Sequence, residues 1–210
     1  MQNKRTYYQL ILDKSGSMRS CLNETISGFN QQMQAIKALE EKYPEQELVV
    51  SLTTFNGEVS RDFEMSSAKF IPALDQQSYR PSGSTALMDA IGMSVVRLQN
   101  RIAKELARGE ASVVVVIMTD GYENSSQKYS AKKISQLIKE LEQSDLWVFN
   151  FMGATKDAVE VATSLNIQTA NSIAFEKMEF GEEMNRVSKS MDSYISEKRS
   201  GTIRKKFLVK

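Results

Sequence analysis

The sequence predicts an α/β three-layer sandwich, in which a doubly wound and mostly parallel sheet carries helices on both faces. Short apolar runs alternate with longer stretches of helical periodicity along the chain. The run SVVVVIM at residues 112–118 is continuously apolar and β-branched, which is typical of a strand covered on both faces. The pair Asn56-Gly57 between two strand-like runs predicts a tight hairpin, and therefore one antiparallel edge strand.

The first elements follow from local patterns. Residues 7–12 are aromatic and branched, which favours a strand. Apolar residues recur every three or four positions over 22–43 and predict a helix that Pro44 ends. Residues 48–55 and 58–65 are the two strands of the hairpin.

The central elements resume after an irregular, proline-containing stretch at 66–84. Residues 86–106 place their apolar side chains on one helix face. After the strand at 112–118, Ser130 is a suitable cap for a helix that ends near residue 142. Residues 146–152 form another apolar strand.

The C-terminal elements are a helix at 156–165, a last strand at 166–170 and a helix at 176–197 with five apolar residues facing inward. These are Met178, Met184, Val187, Met191 and Ile195. Residues 199–210 form a basic tail, for which three interpretations stay open. The tail is a solvated end, or residues 202–209 add a strand, or it contacts an acidic partner or nucleic acid.

Composition excludes several classes of function. The chain has 210 residues, enough for one domain, and a net charge of +1, which gives no overall attraction to nucleic acid or a membrane. It contains no histidine, which removes catalytic triads, Cys-His pairs and histidine metal sites. Its single cysteine, Cys21, permits no internal disulfide and is expected to be a packing residue. No signal peptide or membrane span is recognisable, so a cytoplasmic protein is expected.

Short oxygen-bearing side chains lie where the strands end. Asp13, Ser15 and Ser17 follow the first strand, Thr85 precedes a helix, and Asp120 follows the strand at 112–118. In open α/β sheets such strand ends form the ligand site. Two carboxylates and several hydroxyls are hard donors that suit Mg²⁺. Taken singly, these motifs would indicate structural roles, with Asp13 and Asp120 as turn formers at strand ends and Ser15 and Ser17 as helix caps.

Together, the motifs DKSGS, SGSTAL and MTDG resemble the von Willebrand factor A (VWA) domain family with its metal-ion-dependent adhesion site. The stretch YRPSGSTALMDAI is similar to one common in bacterial and intracellular members, and the resemblance covers about residues 5–170 of a single domain at 1–198. It implies a six-stranded sheet and a protein-binding module, not an enzyme. It also implies Mg²⁺ or Mn²⁺, with Ca²⁺ as a further candidate. Ser15, Ser17 and often Thr85 would hold the ion directly, and Asp13 and Asp120 through water. An Asp or Glu of a partner protein would complete the metal shell.

Further residues are predicted around this site. Arg19, Ser84, Tyr122 and Glu123 are candidates for a partner-binding rim. Asp89 is a candidate for orienting the neighbouring loop, or for a favourable interaction with the N-terminus of its helix. The alternative function is a Mg²⁺-dependent phosphatase or phosphoryl transferase with Asp13 as nucleophile. Against it, Ser15 stands where the related phosphatase motif has a second Asp, and no P-loop is present.

Overall fold

A computed structural model describes residues 4–202 and 205–208. Six strands form one sheet in the order β3-β2-β1-β4-β5-β6. Every neighbouring pair is parallel except β2 with β3, which are antiparallel. The strands are β1 (Arg5–Asp13), β2 (Glu47–Phe55), β3 (Val59–Ser66), β4 (Ala111–Thr119), β5 (Trp147–Gly153) and β6 (Ser172–Ala174). The predicted fold class is confirmed.

Helices cover both faces of the sheet. They are α1 (Leu22–Lys42), α2 (Leu87–Ala107), α3 (Ala131–Glu142), α4 (Ala158–Ser164) and α5 (Phe180–Arg199). One apolar cluster lies between the sheet and helices α1 and α5, and the other lies beneath α2, α3 and α4. Alternate residues of β4 enter the two clusters, Val114 the first and Val115 the second, since successive strand side chains point to opposite faces. No helix in the described ranges has the length and apolar character needed to cross a bilayer.

Two predicted details near the C-terminus are wrong. The last strand lies at Ser172–Ala174 and not at 166–170, because Asn166 takes a φ of 63° after α4 and a 3-10 turn, Thr169–Asn171, precedes the strand. Met178 was predicted to face inward but is 73% exposed. It lies in another 3-10 turn, Lys177–Glu179, before α5 begins, and so does not follow the periodicity of that helix.

The basic tail is partly packed onto the domain. Phe207 and Leu208 are buried, and the Phe207 ring lies 5.8 Å from that of Tyr194. Asn171 donates its side-chain amide to the Lys205 carbonyl (2.6 Å), and its own oxygen accepts the Phe207 N–H (2.8 Å). The expectation of a solvated end therefore does not hold for Phe207 and Leu208, whereas Lys205 and Lys206 are exposed. These four residues are not in a strand, and residues 203, 204, 209 and 210 lie outside the described ranges.

Candidate metal centre

Backbone hydrogen bonds join three loops at the carboxyl edge of the sheet. The Gly16 N–H donates to the Gly83 carbonyl (3.1 Å), and the Ser82 N–H donates to the Lys14 carbonyl (2.9 Å). The Asn124 N–H donates to the Thr85 carbonyl (3.0 Å), and the Asn124 side-chain oxygen accepts the Thr85 N–H (2.8 Å). The loops after β1, before α2 and after β4 are thereby fixed against one another.

Three hydroxyl oxygens from these loops converge on one small space beside Gly121. A Cβ placed on Gly121 would lie 3.2 Å from Thr85 Oγ1, 3.3 Å from Ser17 Oγ and 3.5 Å from Ser15 Oγ. The two serine oxygens are 3.2 Å apart. Ser15 and Thr85 are buried, whereas Ser17 lies at the surface. A glycine here leaves room for a small group held by the three hydroxyls.

Asp13 lies beneath this space and is fully buried. Its Oδ1 accepts the Ser15 N–H and its Oδ2 accepts the Thr119 hydroxyl, both at 2.6 Å. The buried Tyr79 hydroxyl donates to the Asp13 carbonyl. Burial raises the pKa of Asp13 to about 6; the hydrogen bonds from Thr119 and Ser15 oppose this rise, and the nearby Asp120 charge adds to it. A cation at this edge would stabilise the ionised form.

Asp120 carries the most distinctive atom of the site. Its side chain is 0% exposed, and its Oδ1 accepts the Ser17 hydroxyl at 2.6 Å. Its Oδ2 is buried and receives no hydrogen bond from the described residues. The Lys177 ammonium lies 2.6 Å from this oxygen, as an ion pair without hydrogen-bond geometry. A buried carboxylate oxygen without a hydrogen-bond donor is costly unless a cation neutralises it, and the Lys177 ammonium is that cation here.

The donor set fits a divalent metal ion. Two carboxylates and three hydroxyls supply oxygen only, and the two negative charges match one divalent cation. Among the described residues, no group of three or more His, Cys, Asp or Glu side chains is placed to hold a metal. The ability of this site to bind a metal ion therefore depends on the Ser15, Ser17 and Thr85 hydroxyls in addition to the two aspartates.

The predicted rim residues differ in what they offer a partner. Tyr122 is 60% exposed, beside the site. Ser84 is exposed and lies against the hairpin turn, where a Cβ on Gly57 would be 2.7 Å from its hydroxyl. Arg19 is exposed, and its Nε donates to the Pro81 carbonyl at 3.0 Å. These three side chains are accessible from solvent.

Glu123 differs from the other three because both its oxygens are engaged within the chain. Its Oε2 accepts the Met88 N–H at the start of α2 (2.9 Å), and its Oε1 accepts the N–H groups of Ser125 and Ser126 (2.9 and 2.8 Å). A carboxylate at a helix N-terminus is stabilised by the unpaired N–H groups there. Glu123 thus holds the loop after β4 against α2.

Asp89 does the same for the next part of that loop. Its oxygens accept the N–H groups of Gln127, Lys128 and Tyr129 at 2.9, 2.9 and 2.8 Å. Its contacts are therefore with the loop after β4 and not with the metal-facing hydroxyls.

Sequence reasoning missed Thr119, Tyr79 and Lys177. Thr119 stands next to Asp120 in the motif and could have been examined as a partner of Asp13. Tyr79 opens the stretch YRPSGSTALMDAI and could likewise have been examined. Lys177 has no local signal, because it lies on a turn 157 positions from its neighbour Ser20.

Comparisons with known proteins identify the family and the fold. The model of the von Willebrand factor type A domain family matches residues 9–191. The comparison with curated proteins finds no match. Among solved structures, the vWF domain of the type V pili tip protein Mfa5 from Porphyromonas gingivalis has a TM-score of 0.67 at 10% identity, covering 93% of this chain and 97% of that one.

Two further similar structures are of metal-bound proteins. The manganese-loaded Plasmodium vivax TRAP protein has a TM-score of 0.58 at 15% identity, over 88% of this chain and 72% of that chain. Proximal thread matrix protein 1 from the mussel byssus, with a zinc-occupied MIDAS motif, has a TM-score of 0.58 at 17% identity, over 90% of this chain. This chain spans 46% of the byssus protein. These likenesses show a shared fold, and the family match covers most of the chain. The chain belongs to the von Willebrand factor type A domain family.

Proposed function

We propose that this domain binds a partner protein through a divalent cation held by Asp13, Ser15, Ser17, Thr85 and Asp120. The observation that carries the proposal is the convergence of three hydroxyl oxygens beside the buried carboxylate of Asp120. Mg²⁺ is the first candidate because all donors are oxygens, and Mn²⁺ and Ca²⁺ share this preference. Manganese and zinc in the TRAP and byssus proteins support a divalent ion here.

The residues divide into those that face the ion and those that position them. The Ser15, Ser17 and Thr85 hydroxyls point toward the shared space, so they are the direct ligands in this proposal. Asp13 fixes the Ser15 backbone through a 2.6 Å hydrogen bond and adds negative charge beneath the site. When bound, the cation supplies a Lewis-acidic centre that accepts one more anionic oxygen.

The partner would present that oxygen as an Asp or Glu side chain. Ser17, Ser84 and Tyr122 are exposed around the opening, so an approaching carboxylate meets polar and aromatic groups. A carboxylate bound in such a partly desolvated contact loses about 2–5 kcal/mol of binding free energy when its charge partner is removed. Cytoplasmic location stays a prediction from the sequence.

The alternative enzymatic function is not favoured by the position of Asp13. Its side chain is buried, and each of its oxygens already accepts a hydrogen bond. An aspartyl nucleophile must contact the substrate phosphorus, which a fully buried carboxylate is not positioned to do. We therefore propose an interaction module and expect no Asp13-dependent turnover of phosphate esters.

The experiment is capture of partners from native lysate on the immobilised domain, in Mg²⁺ and again in EDTA. The proposal expects proteins that are retained in Mg²⁺, lost in EDTA and lost with Asp120→Ala. Glu140→Ala, an exposed carboxylate change on α3, is the matched control and should capture as the wild type does. Capture that is equal in Mg²⁺ and EDTA would contradict the proposal and direct attention to another surface, such as the hairpin turn at Asn56-Gly57.

A further inference from the structure

We propose that the Lys177 ammonium is an internal competitor of the divalent cation, and that this side chain sets the metal affinity of the centre. The inference rests on the proposed metal-binding function and concerns its regulation. Lys177 is outside the five motif positions, and it reaches the site from the turn that precedes α5.

The contact between Lys177 and Asp120 differs from an ordinary surface ion pair. Lys177 Nζ lies 2.6 Å from Asp120 Oδ2, and the Asp120 side chain is 0% exposed. The same ammonium donates a hydrogen bond to Ser20 Oγ at 3.0 Å. Two contacts from two loops therefore hold the charge on the very oxygen that lacks a hydrogen-bond donor. Surface pairs have little effect because water solvates both partners, which is not so for Asp120.

Hydrogen bonds and packing fix the turn that carries Lys177. Its side chain is therefore held close to Asp120. The Glu179 side chain accepts the Glu176 N–H at 2.9 Å, and the Glu179 N–H donates to the Glu176 carbonyl at 2.8 Å, which closes the turn from both ends. The preceding residue, Phe175, donates its N–H to the Gly153 carbonyl (3.1 Å) and packs its ring 5.7 Å from that of Phe180. A group tethered in this way is present at a high effective concentration.

The Lys177 ammonium and a divalent cation cannot both lie next to Asp120, because their positive charges repel each other. Asp120 offers one negative charge, and a divalent cation bound beside it would repel an ammonium held at 2.6 Å. Binding of the cation therefore requires Lys177 to swing away. The side chain can do so, because it is 36% exposed and has a flexible four-carbon stem. The domain then binds its metal less tightly than the same site would without this lysine.

The test is a Mn²⁺ titration of the purified domain, with free Mn²⁺ followed by electron paramagnetic resonance. Wild type is compared with Lys177→Met, which keeps the aliphatic stem, and with Lys177→Arg, which keeps the charge. Lys139→Met, on an exposed position of α3, is the matched control. Circular dichroism and thermal unfolding in EDTA establish that each variant is folded. If Lys177→Met does not fold, Lys177→Gln replaces it.

The expected result is a Kd for Mn²⁺ at least about tenfold lower in Lys177→Met than in wild type. An adjacent opposite charge lowers the proton affinity of a carboxylate by about 10- to 1000-fold, and Mn²⁺ competes with the ammonium for the same charge. Lys177→Arg and Lys139→Met should bind as the wild type does. Binding in Lys177→Met but not in wild type would also support competition. Equal Kd values in all variants would overturn this inference and leave the metal centre standing. Absence of Mn²⁺ binding in every variant would overturn the proposed function, and this inference with it.

Discussion

Gly121 determines how much room the three hydroxyls leave between them. An alanine there would place its Cβ 3.2–3.5 Å from Thr85 Oγ1, Ser17 Oγ and Ser15 Oγ. We expect Gly121→Ala to weaken Mn²⁺ binding by at least about tenfold, which corresponds to 1.4 kcal/mol, because the methyl group occupies the space that the ligands face. Calorimetric titration measures the effect.

The matched control for this change is Gly181→Ala in α5. Its added Cβ would have its nearest neighbour, the Glu24 carbonyl, at 3.9 Å, an ordinary contact. Gly181→Ala should leave the Mn²⁺ affinity unchanged. If Gly121→Ala bound Mn²⁺ as tightly as Gly181→Ala, the hydroxyls would not be the ligands.

Lys198 makes the stability of the domain depend on pH. It is 2% exposed, and its ammonium donates hydrogen bonds of 2.7 Å to the Arg5 carbonyl and to Thr6 Oγ1, both uncharged. Burial lowers the pKa of Lys198 from 10.5 to about 7. Between these values the unfolded chain binds more protons than the folded one, so the free energy of unfolding rises with pH.

Denaturation at several pH values between about 7 and 9 checks this expectation, since the slope approaches 1.4 kcal/mol per pH unit at most. Lys198→Met should remove the slope while keeping the aliphatic contacts. A slope that is the same in the variant would show that other groups cause the pH dependence.

The residues of the metal centre could be predicted from the sequence where several polar side chains stand together in a short motif. Asp13, Ser15 and Ser17 lie within five positions, and Thr85 and Asp120 each stand in short polar runs at the end or start of an element. Lys177 could not be found in this way, because nothing local distinguishes a lysine on a turn from any other solvated charge. Its role depends on the packing of α5 against α1, which brings distant residues together.

Among the elements, the loop after β4 is held by Asp89 at the start of α2. Its carboxylate accepts the N–H groups of Gln127, Lys128 and Tyr129. Asp89→Asn removes the charge and at least one acceptor, so these three amides should exchange with solvent at least about tenfold faster, equivalent to 1.4 kcal/mol of lost protection. Hydrogen exchange followed by NMR reports each amide separately.

Asp75 offers a matched control for this loop. It also accepts backbone N–H groups, from Gln77 and Ser78 at 2.9 and 2.8 Å, but in an exposed turn. Asp75→Asn should leave the amides of the loop after β4 unchanged. Unaltered exchange in Asp89→Asn would mean that Glu123 and the other loop contacts suffice.

Helices and strands were predicted correctly where a long apolar pattern defines them. The prediction was wrong where a turn shifts the start of a short strand. The strand predicted at 112–118 lies inside β4, and the helix predicted at 86–106 is α2 within one residue at each end. The short strand β6 was misplaced because the φ of 63° at Asn166 and the 3-10 turn after it are set by tertiary contacts. One such contact is the pair of hydrogen bonds between Asn171 and residues 205–207.

For the whole molecule, the tail contributes to stability. Phe207 is 0% exposed and packs in the cluster beneath α1 and α5. Phe207→Ala should lower the free energy of unfolding by about 3–5 kcal/mol, because it leaves a cavity in a closed core. Urea denaturation measures the loss, and Lys206→Ala, an exposed neighbour, should have little effect. Equal free energies of unfolding in the two variants would show that Phe207 does not stabilise the domain, as expected for a solvated tail.

The most direct measurement of the central claim is the stoichiometry and affinity of Mn²⁺ binding to the intact domain. We expect one saturable ion per chain in the wild type and in the surface control Glu140→Ala, and loss of that ion in Asp120→Ala. The reason for this prediction is that the buried Asp120 carboxylate lies beside the three converging hydroxyls and accepts the hydroxyl of one of them, Ser17. The contradicting result is Mn²⁺ binding in Asp120→Ala that equals wild type, or no binding in either wild type or Lys177→Met.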